Sequence, residues 1–148
     1  MSERRGLLIA CGEPSVVAAL ESLADASVGV LPVERILLPG GAWWLAEAAA
    51  ASGNRLKRIV AGRITAVEAV SEMLGSASIV SIVIAGHQDC AWYADRHPRL
   101  GRGELVKRIG ADMYAASDEL QRLARRPLTV SWFVLVRTTA GWEPRKLF

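Results

Sequence analysis

Thiols are scarce in this sequence: its 148 residues contain two cysteines, Cys11 and Cys90. So few do not make a disulfide-stapled scaffold, although an even count still permits one bridge. Long apolar runs are missing as well. No segment approaches the roughly 20 residues that cross a bilayer, and no N-terminal stretch joins basic residues to an apolar run and a small-residue cleavage site. A cytoplasmic protein with no membrane partner is the expectation. Internal repeats, low-complexity tracts and linker-like stretches are also absent, so residues 1–148 are expected to form a single domain.

No block of one charge sign stands out. The formal net charge is +3, but the basic residues fall into scattered groups: Arg55, Lys57, Arg58 and Arg63; Arg96, Arg99 and Arg102; Arg122, Arg125 and Arg126. Many stand beside Glu or Asp, and no helix-turn-helix or RNA-binding signature accompanies them. Solvated faces explain such groups better than a nucleic-acid partner does.

What is present is an apolar fraction of 51%, enough for a continuous core. Gly6 to Ala10 is a short unbroken apolar run of the kind that forms a strand buried on both faces. Pro14 and Ser15 then open a helix over Val16 to Asp25, with Val16, Val17, Leu20 and Leu23 at helical spacing. A second strand covers Glu34 to Leu38 and stops at Pro39-Gly40-Gly41, before an alanine-rich helix over Ala42 to Ala51. Thr65 and Glu68 have capping-box spacing for a helix running to about Gly75. Ser78 to Ala85, rich in β-branched residues, is expected near the centre of the sheet. A long helix from Gly103 to Arg125 follows, then a last strand over Leu128 to Val136, with Gly141 and Trp142 in a turn.

Strands alternating with helices predict an α/β fold: a mostly parallel sheet of about four strands, helices on both faces. In open sheets of this class, ligands gather beyond the carboxyl ends of strands where crossovers change direction. Cys11 and His87 both follow strands, and Cys90 stands three residues after His87. A spatial order 2-1-3-4 makes the first and third strands neighbours and brings Cys11, His87 and Cys90 together.

Zinc accepts thiolate and neutral imidazole, and three protein ligands leave a fourth tetrahedral position open. Two thiolates and one imidazole favour zinc over magnesium or calcium, which prefer oxygen. Two other readings stand beside this one. Cys11 and Cys90 are also suited to be small buried hydrophobes next to a hydrogen-bonded core histidine, or to form a disulfide or redox pair.

These residues carry a family resemblance. Ala10-Cys11-Gly12-Glu13-Pro14-Ser15, Leu38-Pro39-Gly40-Gly41-Ala42 and Ile84-Ala85-Gly86-His87-Gln88-Asp89-Cys90 resemble three motifs of the β-class carbonic anhydrases: Cys-Xaa-Asp-Xaa-Arg, a glycine-containing loop, and Gly-His-Xaa-Xaa-Cys. The last strand with Thr139-Ala140-Gly141 resembles that family's hairpin-like C-terminal end. The resemblance implies a Zn2+ ion on Cys11, His87 and Cys90, and reversible hydration of carbon dioxide to bicarbonate. Hydrolysis of an analogue such as carbonyl sulfide or carbon disulfide is the related activity. Glu13 stands at the family's Asp position as the catalytic carboxylate, and Ser15 stands where the family has Arg. Glu13 then has three roles open to it: orienting the nucleophile with an arginine such as Arg63 or Arg137 brought in from elsewhere, closing the site as a fourth ligand, or favouring the following helix. The alternative function is a zinc-binding but inactive binding or assembly module.

The resemblance also implies a homodimer or higher homo-oligomer, although only Met1 to Arg5 stand where the family carries an N-terminal helical arm. Trp43 and Trp44 are expected to diverge, one into the core and one toward such an interface. After Cys90, where the family usually continues with glycine, Ala91, Trp92 and Tyr93 follow, and Trp92 and Tyr93 are expected to pack, or to narrow an apolar approach. Asp89 is expected outside the ligand set. His97 is expected in a surface loop, positioned as a proton shuttle if it overhangs the site.

Overall fold

The computed structural model describes residues 4–28, 32–50, 70, 72–75, 78–124 and 126–146. Ile79–His87 (β3) is the middle strand, flanked by Arg5–Ala10 (β1) and Thr129–Thr138 (β4), both parallel to it. Val33–Leu37 (β2) pairs in parallel with the outer edge of β1, and Gly141–Lys146 (β5) pairs antiparallel with β4. The order is therefore β2-β1-β3-β4-β5: the expected 2-1-3-4 with one strand added at the end. Gly141 and Trp142 were expected in a turn, but they open β5 and the turn is Thr139-Ala140.

Side-chain alternation along β1 and β3 divides the core into two layers. Leu8, Ala10, Val83 and Ala85 face one side, where they meet Val16, Leu20, Leu23 and Ala24 at and within helix Val17–Val28 (α1). Leu7, Ile9, Ile82 and Ile84 face the other side. There they pack with Trp43 and Leu45 of helix Trp43–Ala50 (α2) and with Ile109, Met113, Ala116 and Leu120 of helix Arg102–Ala124 (α4). Those four α4 positions recur every three or four residues and form one apolar stripe. Fully burying an isoleucine or leucine side chain is worth about 1.5–3 kcal/mol, so this two-faced packing fixes the sheet. Between β3 and α4 runs the short helix Ala91–Arg96 (α3), which lies where only a loop was expected.

The observed bounds depart from expectation by one to three residues at most strand and helix ends, as fraying allows. Of the helix expected to end near Gly75, residue 70 and residues 72–75 are helical; Thr65, Glu68 and Arg63 lie outside the described residues. Among the described residues, no helix is long and apolar enough to cross a membrane.

Two contacts join this frame to the site. Gly40 and Gly41 have positive φ (75° and 55°), and a Cβ on Gly41 would fall 2.9 Å from the backbone of Ala10 and Cys11. Only glycine lets that loop press so closely on the end of β1. On β3, a Cβ on Gly86 would come within 2.4 Å of Ile109 Cγ2, so α4 sits directly on the residue before His87.

Candidate metal centre

Cys11 follows β1 directly, His87 ends β3, and Cys90 is the residue from which α3 starts. Because β1 and β3 are paired with Ala10 opposite Ala85, their carboxyl ends are level, and residues 76 positions apart in sequence meet there. By strand alternation Cys11 continues the face of Leu7 and Ile9, whereas His87 continues that of Val83 and Ala85. The cluster therefore straddles the edge of the sheet. One donor atom from each of Cys11, Glu13, His87 and Cys90 lies within 4.8 Å of all the others. The three residues expected from the sequence, together with the carboxylate beside them, come together.

Cys11, His87 and Cys90 are buried, and Glu13 is partly exposed. The two sulfurs are 3.8 Å apart as free thiols, well beyond the roughly 2.05 Å of a disulfide. They share a proton unequally. The hydrogen bond from Cys90, opposed by burial and helped by His87 and by backbone N–H groups of Gly40 and Glu13, lowers the Cys11 pKa to about 4. Cys90 is pushed upward because it donates to Cys11 and because it is buried.

His87 Nδ1 stands 2.9 Å from the Gln88 carbonyl oxygen, to which it donates. That bond leaves Nε2 as the atom facing the cluster. Nε2 is buried without a hydrogen-bond partner, and Glu13 Oε2 lies 3.0 Å away. Two electron-rich atoms so close repel each other unless a cation lies between them. Burial opposes protonation of His87. The Cys11 sulfur, the Gln88 carbonyl and the charges of Cys11 and Glu13 outweigh it, and the pKa rises. Two sulfurs, an imidazole nitrogen and a carboxylate thus form a buried pocket of lone pairs that draws positive charge, and the donor set fits a metal cation.

The surroundings hold these donors in place. Gln88 donates its N–H to the Leu135 carbonyl at 2.8 Å, and its Oε1 accepts the N–H of Arg137 at 3.1 Å. Asp89 adopts φ 60°, unusual for a residue with a side chain, and its carboxylate takes two bonds of 2.9 and 2.7 Å from Arg102 on α4. It lies outside the cluster, as expected. On the other side, Trp142 of β5 sets its ring edge-on to His87 at 5.8 Å and donates Nε1–H to the Ser15 carbonyl at 3.1 Å.

No arginine completes a pair with Glu13 among the described residues. The guanidinium of Arg137 lies over the Trp142 ring at 4.9 Å, and the side chain beside the Glu13 carboxylate is that of His87. Tyr93 is buried and donates its hydroxyl to Asp112 at 2.7 Å. Burial and the Asp112 carboxylate push its pKa upward, so it is a packing residue. His97 stacks on the Tyr93 ring at 6.4 Å and is not among the clustered donors. Trp43 and Trp44, expected to diverge, both meet Trp92: Trp43 edge-on at 5.4 Å and Trp44 stacked at 5.9 Å. Trp43 is buried in the core and Trp44 half-buried, so the two differ in depth as expected, and Trp92 of α3 touches both.

A cavity of about 420 Å3 opens beside Cys11 and Glu13, walled by Leu37, Pro39, Ala91 and Trp92. Sequence reasoning singled out Trp92 but missed Arg102 and Trp142 as supports, since neither belongs to a motif.

No protein-family model and no curated protein matches this sequence. Solved structures do. The β-carbonic anhydrase CafA of the fungal pathogen Aspergillus fumigatus is similar at TM-score 0.55 and 13% identity, over 99% of this chain and 76% of that one. The β-carbonic anhydrase CcaA is similar at TM-score 0.51 and 16% identity, over 91% of this chain and 76% of that one. With the sheet order described above, these likenesses establish that the chain has the β-carbonic anhydrase fold.

Proposed function

We propose that this chain is a zinc-dependent, carbonic-anhydrase-like enzyme that hydrates carbon dioxide reversibly to bicarbonate, or hydrolyses a close analogue such as carbonyl sulfide or carbon disulfide. Cys11, His87 and Cys90 are its zinc ligands and Glu13 is the catalytic carboxylate. The reading includes a single domain and a homodimer or higher homo-oligomer.

The observation that carries it is the spacing of the donors. Zinc holds thiolate at about 2.3 Å, and two such bonds at the tetrahedral angle put their sulfurs about 3.8 Å apart. The sulfurs of Cys11 and Cys90 stand at 3.8 Å, and the unpartnered Nε2 of His87 and a Glu13 oxygen complete the group. When bound, the ion supplies Lewis acidity that brings the pKa of a coordinated water from about 15.7 to about 7.

The chain's own residues do the remainder. The bond from His87 Nδ1 to the Gln88 carbonyl fixes the tautomer that presents Nε2 to the ion. N–H groups of Gly40 and Glu13 help hold negative charge on Cys11, keeping it a ligand at neutral pH. Glu13, at the mouth of the cavity, accepts a hydrogen bond from the attacking water and orients it toward a substrate resting on Leu37, Pro39 and Trp92. Being partly exposed, it hands the proton on to solvent.

The nearness of the Glu13 oxygen to the other three donors favours a second reading, in which Glu13 is itself the fourth ligand and the protein is an inactive binding or assembly module. Zinc content and carbon dioxide hydration, measured in the native protein, Cys11→Ser and Glu13→Ala, separate the two. The first reading expects zinc and activity in the native protein, and a loss on the order of a hundredfold in Glu13→Ala with zinc retained. Zinc without native activity leaves only the second. A native protein free of zinc after metal-replete purification removes both.

A further inference from the structure

We propose that Cys11 and Cys90, when no ion lies between them, are an ordered redox pair: a hydroperoxide oxidises Cys11, Cys90 closes a disulfide on it, and the closed pair excludes zinc. This goes beyond the functional reading above and stands without it, on the two thiols and the cavity.

Placement sets the order of the two sulfurs. Both cysteines are buried, but Cys11 lines the cavity of about 420 Å3 and Cys90 does not. At about 30 Å3 per water that volume has room for roughly fourteen waters, so a small hydroperoxide reaches the Cys11 sulfur first. One partner waits behind it. The chain has two cysteines, and their sulfurs are 3.8 Å apart, so an approach of about 1.8 Å makes a disulfide of roughly 2.05 Å. Cys90 is the fixed member. It starts α3, which Tyr93 ties to Asp112 on α4 at 2.7 Å and whose Trp92 stacks on Trp44 at 5.9 Å. Cys11 precedes Gly12, whose N–H reaches the Leu38 carbonyl at 3.3 Å, and this lightly tied end makes the approach.

One peroxide balances the reaction. The Cys11 sulfur takes the terminal peroxide oxygen, the O–O bond breaks, and the Cys11 proton leaves with the other oxygen as water or an alcohol, so that Cys11 becomes a sulfenic acid. The Cys90 sulfur then attacks that of Cys11, the S–O bond breaks, and hydroxide leaves with the Cys90 proton as water. Two thiols have lost two electrons, and the peroxide has gained them. A dithiol reverses the bond by exchange. Ion and disulfide draw on the same lone pairs. A sulfur whose lone pair is held by a cation reacts more slowly with peroxide, and a disulfide has no thiolate to offer, which leaves a metal only His87 and Glu13 of the four donors. Zinc therefore protects the pair, and oxidation locks the site against zinc.

Hydrogen peroxide is the probe, added to the full-length protein zinc-loaded, metal-free, and metal-free in guanidinium chloride. Intact mass and thiol titration are expected to show the folded metal-free chain losing both thiols, with Cys11 and Cys90 joined in the peptide map and a dithiol restoring both. That form is expected to react roughly tenfold or more faster than either the zinc-loaded or the unfolded chain, because the fold has already closed the loop between the two sulfurs. Once oxidised, it is expected to bind zinc roughly a hundredfold or more weakly. In Cys90→Ser, dimedone is expected to trap a sulfenic acid on Cys11; in Cys11→Ser, labelling of Cys90 is expected to be roughly tenfold slower or more. Thiols that survive excess peroxide, bonds between chains, a rate no faster than that of the unfolded or zinc-loaded chain, or Cys90 labelled as readily as Cys11 overturns the proposal. A protein that forms this bond but never holds zinc defeats the functional reading and leaves the redox pair; a zinc protein whose metal-free form keeps both thiols does the reverse.

Discussion

The two halves of the candidate site are built differently. On the His87 side, one turn carries two donors and is held from three directions: by β4 through Gln88, by α4 through Arg102 and Asp89, and by the ring nitrogen that His87 gives to the Gln88 carbonyl. On the Cys11 side, the segment from Gly12 to Ser15 has lighter ties: Gly12 N–H to the Leu38 carbonyl at 3.3 Å, Val16 N–H to the Glu13 carbonyl at 3.1 Å, and the Trp142 bond to Ser15. His87 is 1% exposed and Glu13 28%. The rigid half also carries the full Gly-His-Xaa-Xaa-Cys resemblance, and the looser half carries the partial one. Ligand position is thus fixed where the chain is tightly bonded, while the carboxylate that decides between an open and a closed site sits where it has room to move.

The largest test of that contrast is removal of one sulfur from each half. Structural zinc sites are worth roughly 10–16 kcal/mol, and losing one of three protein ligands is expected to cost about 4 kcal/mol, on the order of a thousandfold in zinc affinity. Cys11→Ser and Cys90→Ser are both expected to show it in competition with a chromophoric chelator. If Cys90→Ser alone loses zinc, Cys11 belongs to the fold and not to the metal.

The next test concerns packing beneath each half. Alanine at Gly86 drives a methyl to 2.4 Å from Ile109 Cγ2, and overpacking of this kind costs about 2 kcal/mol, or roughly 4–8 °C in Tm for a chain of this size. Alanine at Gly12 meets its nearest neighbour, Leu37 Cβ, at 3.4 Å and is expected to stay within about 0.5 kcal/mol. Thermal unfolding of both variants checks the pair. Equal losses mean that α4 does not brace the His87 side more firmly than β2 braces the Cys11 side.

How much of this was legible in the sequence follows the same division. The central strand announced itself through Ile79, Val80, Ile82, Val83 and Ile84, and the sheet order followed from alternation of strand and helix. The ligand set was legible because cysteine and histidine stood at strand ends. Strand β5 was legible only through the resemblance to a hairpin-like end: Glu143, Pro144, Arg145 and Lys146 give no apolar alternation, as befits an edge strand. Helix α3 has six residues, too few for a period to show. The supports were hidden for another reason. Arg102 and Trp142 act on the site from 13 and 127 residues away, and only the folded register brings them to Asp89 and Ser15.

Arg102→Ala probes the rigid half more gently. The Arg102 and Asp89 side chains are about half exposed, so the ion pair itself contributes at most about 1 kcal/mol. Its role is to hold Asp89 at positive φ between two candidate ligands. Zinc affinity is expected to fall roughly threefold to tenfold, below the 10–100-fold typical of groups bonded directly to a ligand, with Tm nearly unchanged. A drop in Tm with zinc affinity intact recasts the pair as ordinary surface bracing.

The smallest expected effect lies in the looser half. Trp142→Phe keeps an aromatic ring beside His87 and removes the N–H that Trp142 gives to Ser15. Ser15 is exposed, so water replaces the lost donor and the net cost is about 0.5 kcal/mol, at the low end for one hydrogen bond. Stability and zinc affinity should therefore hardly change. Glu13, two residues before Ser15, loses a tether, and if it orients the attacking water, hydration should fall roughly twofold to threefold in kcat with KM unaltered. If Glu13 is instead the fourth ligand, loosening it opens the site, and activity stays level or rises. The sign of that small change, more than its size, tells which role the carboxylate plays.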